Sequence, residues 1–208
     1  MPLRRKPPSA APSSGQSPAD ALRALGSTDA DERWAAARAA ASAPGGPAAM
    51  AAALRLESEP HVREALFTSL ARADTAQSAA ELLSLLRSDQ ATLRIGALDA
   101  LRAMGEAIRD VLPRFLGDSD VDIRILSCEL ARALPAEEAT AALCALLARE
   151  ADVNVCAAAI DVLAEVGSPA AVPVLAQCAA RFAQNSFLGF AAKIATDRIS
   201  SQNPPPRD

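Results

Sequence analysis

An arginine recurs along this chain at a nearly constant interval, each time inside the same local pattern. The segments DADERWAAARAA, SEPHVREALFTSL, SDQATLRIGALDAL and DSDVDIRILSCELARAL place it at Arg33, Arg63, Arg94 and Arg124, at steps of 30, 31 and 30 residues. A fifth copy, ADVNVCAAAIDVLAEVG, has Cys156 in this arginine position, 32 residues further on. A fixed period of this length indicates one supersecondary unit stacked on itself. The pattern therefore predicts a repeat fold and favours binding over catalysis.

The composition of each copy, and the residues at its ends that cap or terminate helices, indicate helices. Hydrophobic residues make up 50% of the chain but aromatic residues only 3%, and alanine, which is abundant, has the highest helix propensity. Each repeat is predicted to hold two helices, A and B. In the fourth repeat Asp118 or Ser119 is expected to cap helix A, Leu134-Pro135 to end it, and AEEATAALCALLARE to form helix B. In the first repeat, APGGP at residues 43–47 predicts a looser turn between the helices.

The repeats are predicted to occupy residues 18–200. Residues 1–17 are basic and rich in Pro and Ser, so we expect a disordered tail there and a second one at 201–208. SPADALRALGS, which opens the repeat region, predicts a short helix that acts as a half-repeat. A last helix carrying Phe187, Phe190 and Ile194 is expected to cap the other end. The predicted fold is an all-α solenoid of about five helix pairs, with an N-terminal half-repeat and a C-terminal capping helix.

The charge and the composition argue against several binding partners. The net charge is −4, and without the basic run Arg4, Arg5 and Lys6 the chain has 18 basic residues against 25 acidic ones. Nucleic-acid binding usually needs a basic face or stacking aromatic side chains, and both are lacking. No run approaches the roughly 18 apolar residues of a membrane span, and the N-terminus lacks the apolar region of a secretory signal. We therefore expect a cytoplasmic protein that binds neither nucleic acid nor membrane.

The cysteines and the single histidine suggest neither catalysis nor metal binding. Cys128, Cys144, Cys156 and Cys178 form no CxxC pair and lie inside helical patterns, so they are predicted to be small buried residues in a reducing cytosol. With His61 as the only histidine, a His-based metal site or a Ser/His/Asp triad is hard to assemble. No catalytic residue, cofactor or metal is predicted, and a small-molecule ligand is not expected.

The repeat resembles the HEAT-like repeats of the bilin-lyase type. The resemblance rests on the D-x-D/E-x-x-V/I-R-x-x-A start, and the best copies are DSDVDIRILSCELARAL and ADVNVCAAAIDVLAEVGSPAAVPVL. It implies a scaffold, a regulatory subunit, a bilin lyase subunit or chaperone, or an iron-dependent hydroxylase. The hydroxylase uses several His-Glu pairs, whereas His61 is followed by Val62, so that activity is excluded. A lyase or chaperone-type subunit acting on a chromoprotein stays open as the alternative to a scaffold.

The recurring arginines and the only tryptophan each have two interpretations. The arginine row fits either an anion-binding stripe or a structural contact with an acid or a helix C-terminal carbonyl in the adjacent repeat, and the second is favoured. Trp34 fits either packing under the N-terminal cap, which is favoured, or an exposed anchor for a partner. Phe182, Phe187 and Phe190 are interpreted as core and cap.

The resemblance implies that the B helices line a concave face, which is the first choice for a binding surface. Its predicted outward residues include Glu81, Arg109, Arg114 and Glu138. Together with Trp34 they form the candidate partner-binding set. The sequence therefore predicts a non-enzymatic protein–protein interaction module, a scaffold or regulatory adaptor, whose partner is a protein of unknown identity.

Overall fold

The computed structural model describes residues 17–202, so most of the predicted tails, residues 1–16 and 203–208, lies outside the described residues. Across the described range the chain forms α-helices and two short 3-10 turns, with no strand, which confirms the all-α prediction. The helices are α1 (Pro18–Ala24), α2 (Ala30–Ala40), α3 (Gly46–Leu56), α4 (Pro60–Ala73), α5 (Ala76–Leu85), α6 (Ala91–Arg102), α7 (Glu106–Phe115), α8 (Val121–Leu130), α9 (Ala136–Leu147), α10 (Val153–Val166), α11 (Val172–Arg181) and α12 (Ser186–Gln202). The turns are Ala131–Ala133 and Pro169–Ala171.

In sequence order these helices reproduce the predicted repeats. The pairs α2–α3, α4–α5, α6–α7, α8–α9 and α10–α11 are the five A–B pairs, preceded by α1 and followed by α12. The helix α12 continues to Gln202, two residues into the segment predicted as a tail. The predicted α-solenoid architecture of helix pairs is therefore confirmed.

The chain divides into two compact units, the first ending at Ala73 and the second beginning at Asp74. In the first unit α2 packs against α1, α3 and α4. In the second unit the A helices stack in order, with α8 between α6 and α10 and with α12 on α10. The B helices stack beside them, since α5 packs on α7 and α9 packs on α11.

Two positions near the recurring arginine contribute buried side chains to the A helices. The residue just before it is almost completely buried in α4, α6, α8 and α10, and the residue three positions after it is buried in all five A helices. The first group is Val62, Leu93, Ile123 and Val155, and the second is Ala36, Leu66, Ala97, Ser127 and Ala159. Positions one turn apart lie on one helix face. The arginine therefore lies at the edge of the buried stripe.

Side-chain caps begin most of the A helices, at positions slightly different from those predicted. In the fourth repeat the cap is Asp120, whose carboxylate accepts a hydrogen bond from the Asp122 amide at 2.9 Å. The prediction of Asp118 or Ser119 was wrong because α8 begins at Val121. Asp118 instead accepts from the Asp120 amide at 2.9 Å and so stabilises the turn before the helix.

The C-terminal helix α12 covers the end of the second unit, but it buries different residues from those predicted. Asn185 accepts a hydrogen bond from the Leu188 amide at 3.0 Å and so sets where the helix begins. With that start, the buried face of the helix consists of Leu188, Ala192, Ala195 and Ile199. Phe187 and Phe190 are each 64% exposed. Their interpretation as core residues was therefore wrong, although α12 does pack on α10 and α11.

Candidate interaction surfaces

Each recurring arginine forms a hydrogen bond between its helix A and the turn that precedes that helix. In every copy a guanidinium nitrogen donates to the backbone carbonyl six residues earlier. The contacts are Arg33 to Ser27 at 2.9 Å, Arg63 to Glu57 at 2.9 Å, Arg94 to Ser88 at 2.7 Å and Arg124 to Asp118 at 2.9 Å. Cys156 follows the same rule, with its thiol 3.8 Å from the Glu150 carbonyl oxygen. A structural contact shared by all five copies accounts for the recurrence and favours the structural interpretation of the row.

Two of these arginines also bridge to the start of the next repeat. The two N–O distances from Arg124 to the Glu150 carboxylate are 2.8 and 3.1 Å, and those from Arg33 to Glu57 are 2.8 and 3.0 Å. Glu150 also accepts from the backbone amides of Ala151 and Asp152, at 3.0 and 2.8 Å. The arginine and the acid thus connect one helix A to the turn that begins the next.

The pKa values of both acids reflect these bonds. For Glu57 the hydrogen bond from Arg33 is the main cause of a lowered pKa. For Glu150 burial alone raises the pKa, but the hydrogen bonds from Arg124 and from the Asp152 amide outweigh it, so the pKa lies below its ordinary value. Both acids are charged at neutral pH and hold their arginines in place.

The four residues predicted on the B helices lie on neighbouring helices of the second unit. Arg109 on α7 and Glu138 on α9 form an ion pair, with 2.9 Å between Nε and Oε2. Arg114 is exposed at the other end of α7, with its guanidinium carbon 5.8 Å from the centre of the Phe115 ring. Glu81 is half-buried on α5, which packs on α7. The structure therefore brings two of the four into direct contact and places all four on adjacent B helices.

The A helices of the second unit carry a set of ion pairs that the sequence analysis missed. Arg102 on α6 reaches Glu129 on α8 at 3.9 Å, and Arg132 reaches Glu129, Asp161 at 2.7 Å, and Glu165. We call these residues the ion-pair ladder. The available signal was an arginine eight residues after the arginine position, at the end of α6 and in the 3-10 turn that follows α8. An acid also lies five residues after the arginine position in α6, α8 and α10.

A second missed residue is Asp74, which caps a helix distant in sequence. Its carboxylate accepts hydrogen bonds from the amides of Gly105, Glu106 and Ala107, each at 3.2 Å. These amides are the free donors at the start of α7. No local pattern could reveal this contact, because 31 to 33 residues separate the partners.

Trp34 lies on α2 in the first unit, beside α4. Its side chain is 37% exposed, and the Arg38 guanidinium carbon lies 4.8 Å from the centre of its ring. It borders a groove of about 290 Å³ that is also lined by His61, Glu64 and Arg72 of α4. The favoured interpretation, packing under the N-terminal cap, does not describe this position. The indole is only partly covered by the helices around it.

The cysteine thiols are not paired, and they are poorly suited to chemistry. Cys128, Cys156 and Cys178 are buried and Cys144 is half-buried. Burial raises the pKa of Cys128 and of Cys156 to about 12, with Cys178 adding to the shift at Cys156. Thiols with such pKa values are protonated at neutral pH and are weak nucleophiles. Within residues 17–202 no group of three or more His, Cys, Asp or Glu residues is arranged to hold a metal ion.

Replacing each cysteine in turn with alanine is therefore expected to leave partner binding intact. The buried positions should lose about 1–2 kcal/mol of unfolding free energy, as small truncations in a packed core do. Binding assays and chemical denaturation of the four variants test this. Loss of binding, or of a stoichiometric metal or chromophore, in any one variant would contradict a purely structural role.

None of the described helices is long and apolar enough to cross a membrane.

Comparison with known proteins supports the repeat assignment. Residues 106–183 match the family model for HEAT repeats. No curated protein matches the chain. Similar solved structures include a HEAT-like repeats protein from the archaeon Thermococcus onnurineus, with 16% identity, 88% of this chain and 87% of that chain covered, and a TM-score of 0.46. Two engineered proteins, each 19% identical, cover 88% and 90% of this chain and 96% and 100% of their own, with TM-scores of 0.39 and 0.43. The family match therefore assigns HEAT repeats to residues 106–183, and the helix pairs on either side of that segment follow the same order of helices.

Proposed function

We propose that this chain is a non-enzymatic protein-interaction module, a scaffold or regulatory adaptor in the cytoplasm, which binds a protein partner on its B helices. The observation that carries the proposal is the polar surface of α5, α7 and α9 in the second unit. There the Arg109–Glu138 pair, Arg114 and Glu81 combine both signs of charge on adjacent helices. We call these four residues the B-helix surface.

The way in which the repeats use their side chains supports binding over catalysis. Stacked repeats bury their apolar faces against neighbouring repeats, so their outer surfaces are free to contact a partner. Among the buried ionisable groups, Glu150 already holds Arg124 in place, and the thiols of Cys128 and Cys156 have raised pKa values. The exposed charges of the B-helix surface are the groups that a partner can reach without disturbing the core.

Reversing the charge of Arg109 and Arg114 together is expected to weaken partner binding at least tenfold. The unfolding free energy should change by less than about 1 kcal/mol, because an exposed ion pair contributes little to stability. Affinity capture from native cytosol with mass spectrometry identifies the partner. Titration of the purified partner then gives the affinity, while circular dichroism gives helicity and melting temperature. A matched control reverses Lys193 and Arg198, two exposed basic residues of α12 with the same total change of charge.

A charge swap tests whether partner binding depends on the arrangement of charges on the surface or only on the presence of the ion pair. The variant Arg109→Glu with Glu138→Arg keeps net charge and the possibility of an ion pair, but it inverts the pattern that a partner meets. It is expected to fold like wild type and to bind poorly. If a chain starting at Ser17 loses binding and the reversals do not, the interaction lies in residues 1–16 and the proposal fails. Bilin binding monitored by absorbance would instead favour the lyase or chaperone alternative.

A further inference from the structure

The groove between α2 and α4 in the first unit differs in chemistry from the rest of the helix surface. It has a volume of about 290 Å³ and runs along the outer sides of two neighbouring A helices. Its charged and aromatic lining is Trp34, Arg38, His61, Glu64 and Arg72, with Thr68 and Ser69 beside them. The groove therefore combines one aromatic ring and two guanidinium groups with a single carboxylate.

Neither arginine of the groove has an acidic partner. Arg38 and Arg72 form no ion pair with any residue of the range 17–202, and both are exposed. Arg38 instead lies over the Trp34 ring, with 4.8 Å between its guanidinium carbon and the ring centre. This cation–π contact orients the guanidinium without neutralising its charge. The groove thus presents two guanidinium groups against one carboxylate, that of Glu64, beside a half-open indole.

Comparison with the ion-pair ladder identifies the missing group. Five residues after the arginine position, the A helices of the second unit have Asp99, Glu129 and Asp161. Two of these acids form ion pairs with arginines of the preceding repeat, Glu129 with Arg102 and Asp161 with Arg132. At the same position α2 has Arg38 and α4 has Thr68. The first unit therefore lacks the carboxylates of the ladder at this position, and its own cations, Arg38 and Arg72, lie five and nine residues after the arginine position rather than eight.

We infer that this groove binds an acidic peptide segment of a protein partner, whose carboxylates take the place of the missing acids. The inference rests on the proposed function and adds a second contact with a stated chemistry. Arg38 and Arg72 would receive two carboxylates, because a guanidinium matches a carboxylate in a two-bond geometry. An apolar side chain of the same segment would lie against Trp34. Tryptophan and arginine are the residue types that most often dominate binding energy at interfaces.

The chain carries its own reporter for this site. Trp34 is the only tryptophan and there is no tyrosine, so the near-ultraviolet emission of the full chain comes from the groove. The probe is the peptide Ac-ELEELEEL-NH2, and the matched control peptide has glutamine at every glutamate. We expect the acidic peptide to shift Trp34 emission with saturation. The control should bind at least tenfold more weakly, and affinity should fall as ionic strength rises, because exposed charge pairs are screened by salt.

Variants of the full chain separate the groove from general electrostatic attraction. Arg38→Gln combined with Arg72→Gln should weaken binding of the acidic peptide at least tenfold, whereas Arg198→Gln on α12, combined with Lys193→Gln, should leave it within about twofold. Equal binding of the two peptides, or equal loss in both variants, would overturn the inference. Tighter binding of a single-stranded RNA oligonucleotide than of the acidic peptide would also overturn it, since it would assign the groove to another polyanion.

The same variants distinguish this inference from the proposed function. If the natural partner binds the Arg38/Arg72 variant normally but not the Arg109/Arg114 reversal, the groove inference fails and the proposed function stands. If neither change affects partner binding, the proposed B-helix surface fails, and the groove inference is then contradicted for that partner as well. Loss of partner binding in both the groove variant and the Arg109/Arg114 reversal, together with loss of peptide binding in the groove variant, supports both.

Discussion

Replacement of Arg124 with alanine is expected to lower the free energy of unfolding by about 2–3 kcal/mol, as loss of charge-assisted hydrogen bonds does. The change removes two bonds to the Glu150 carboxylate and one each to the carbonyls of Asp118 and Ser119. It also leaves Glu150, whose side chain is 7% exposed, without its counter-charge. Urea denaturation of the variant and of wild type measures the difference. A variant that unfolds like wild type but has lost its partner would instead make the arginine row a binding site.

The pH dependence of that difference checks its physical cause. The Glu150 pKa is lowered in the folded chain, so its ionised form is favoured by folding and contributes stability above the unfolded pKa of about 4.3. This contribution is lost as the pH falls through the lowered folded pKa. The gap between wild type and the Arg124 variant should therefore be full at pH 7 and shrink below about pH 4. A gap that stays constant down to pH 3 would indicate lost packing rather than a lost charge interaction.

The arginine repeat predicted the fold well because it reports contacts that are local in sequence. The arginine and the carbonyl that it binds are six residues apart in each copy, and the buried positions lie within a turn of it. A period of about 30 residues is therefore enough to give the number of helix pairs. The interpretation of the arginines as structural follows from the same regularity, since a contact that is made in every repeat leaves its residue in every repeat.

Contacts between repeats were harder to predict because the partner is distant in sequence and varies. Asp74 caps α7 from 31 residues away, and nothing near it indicates that role. The buried face of the C-terminal helix α12 was also predicted wrongly. Phe187 and Phe190 are large and apolar, but the cap by Asn185 sets a phase that buries Leu188 and exposes both rings. Side-chain size alone does not decide which face of a terminal helix is covered.

The sequence could predict which helices carry the candidate residues, but it could not predict which residues they contact. Outward positions on the B helices follow from helical spacing, and the sequence placed Arg109 and Glu138 on that side of the repeat. Their mutual ion pair depends on how α7 and α9 stack, which the spacing does not contain. The same limit applies to Trp34, because its exposure depends on the packing of α2 against α4.

In the turn of the first repeat, the sequence did not reveal why the two glycines are needed. APGGP was expected to make a looser turn, but the structure shows a close approach. A Cβ added at Gly46 would lie 1.9 Å from the Ala40 carbonyl oxygen, which is the backbone of the preceding helix. Gly45 has space on all sides but a φ of +75°, which L residues rarely adopt. The two glycines are therefore needed for different reasons, one for space and one for backbone conformation.

Replacing each of these glycines with alanine is expected to give losses of unfolding free energy of different size, because the two glycines are needed for different reasons. Gly46→Ala should cost more than about 3 kcal/mol of unfolding free energy, because a backbone oxygen cannot move aside as a flexible side chain can, and α3 must shift away from α2. Gly45→Ala meets no atom within 4 Å and should cost only about 1–2 kcal/mol, the price of a left-handed backbone in an L residue. Chemical denaturation of both variants gives the two values. Equal losses would mean that the turn relaxes freely, and then the first repeat would be as loose as its sequence suggests.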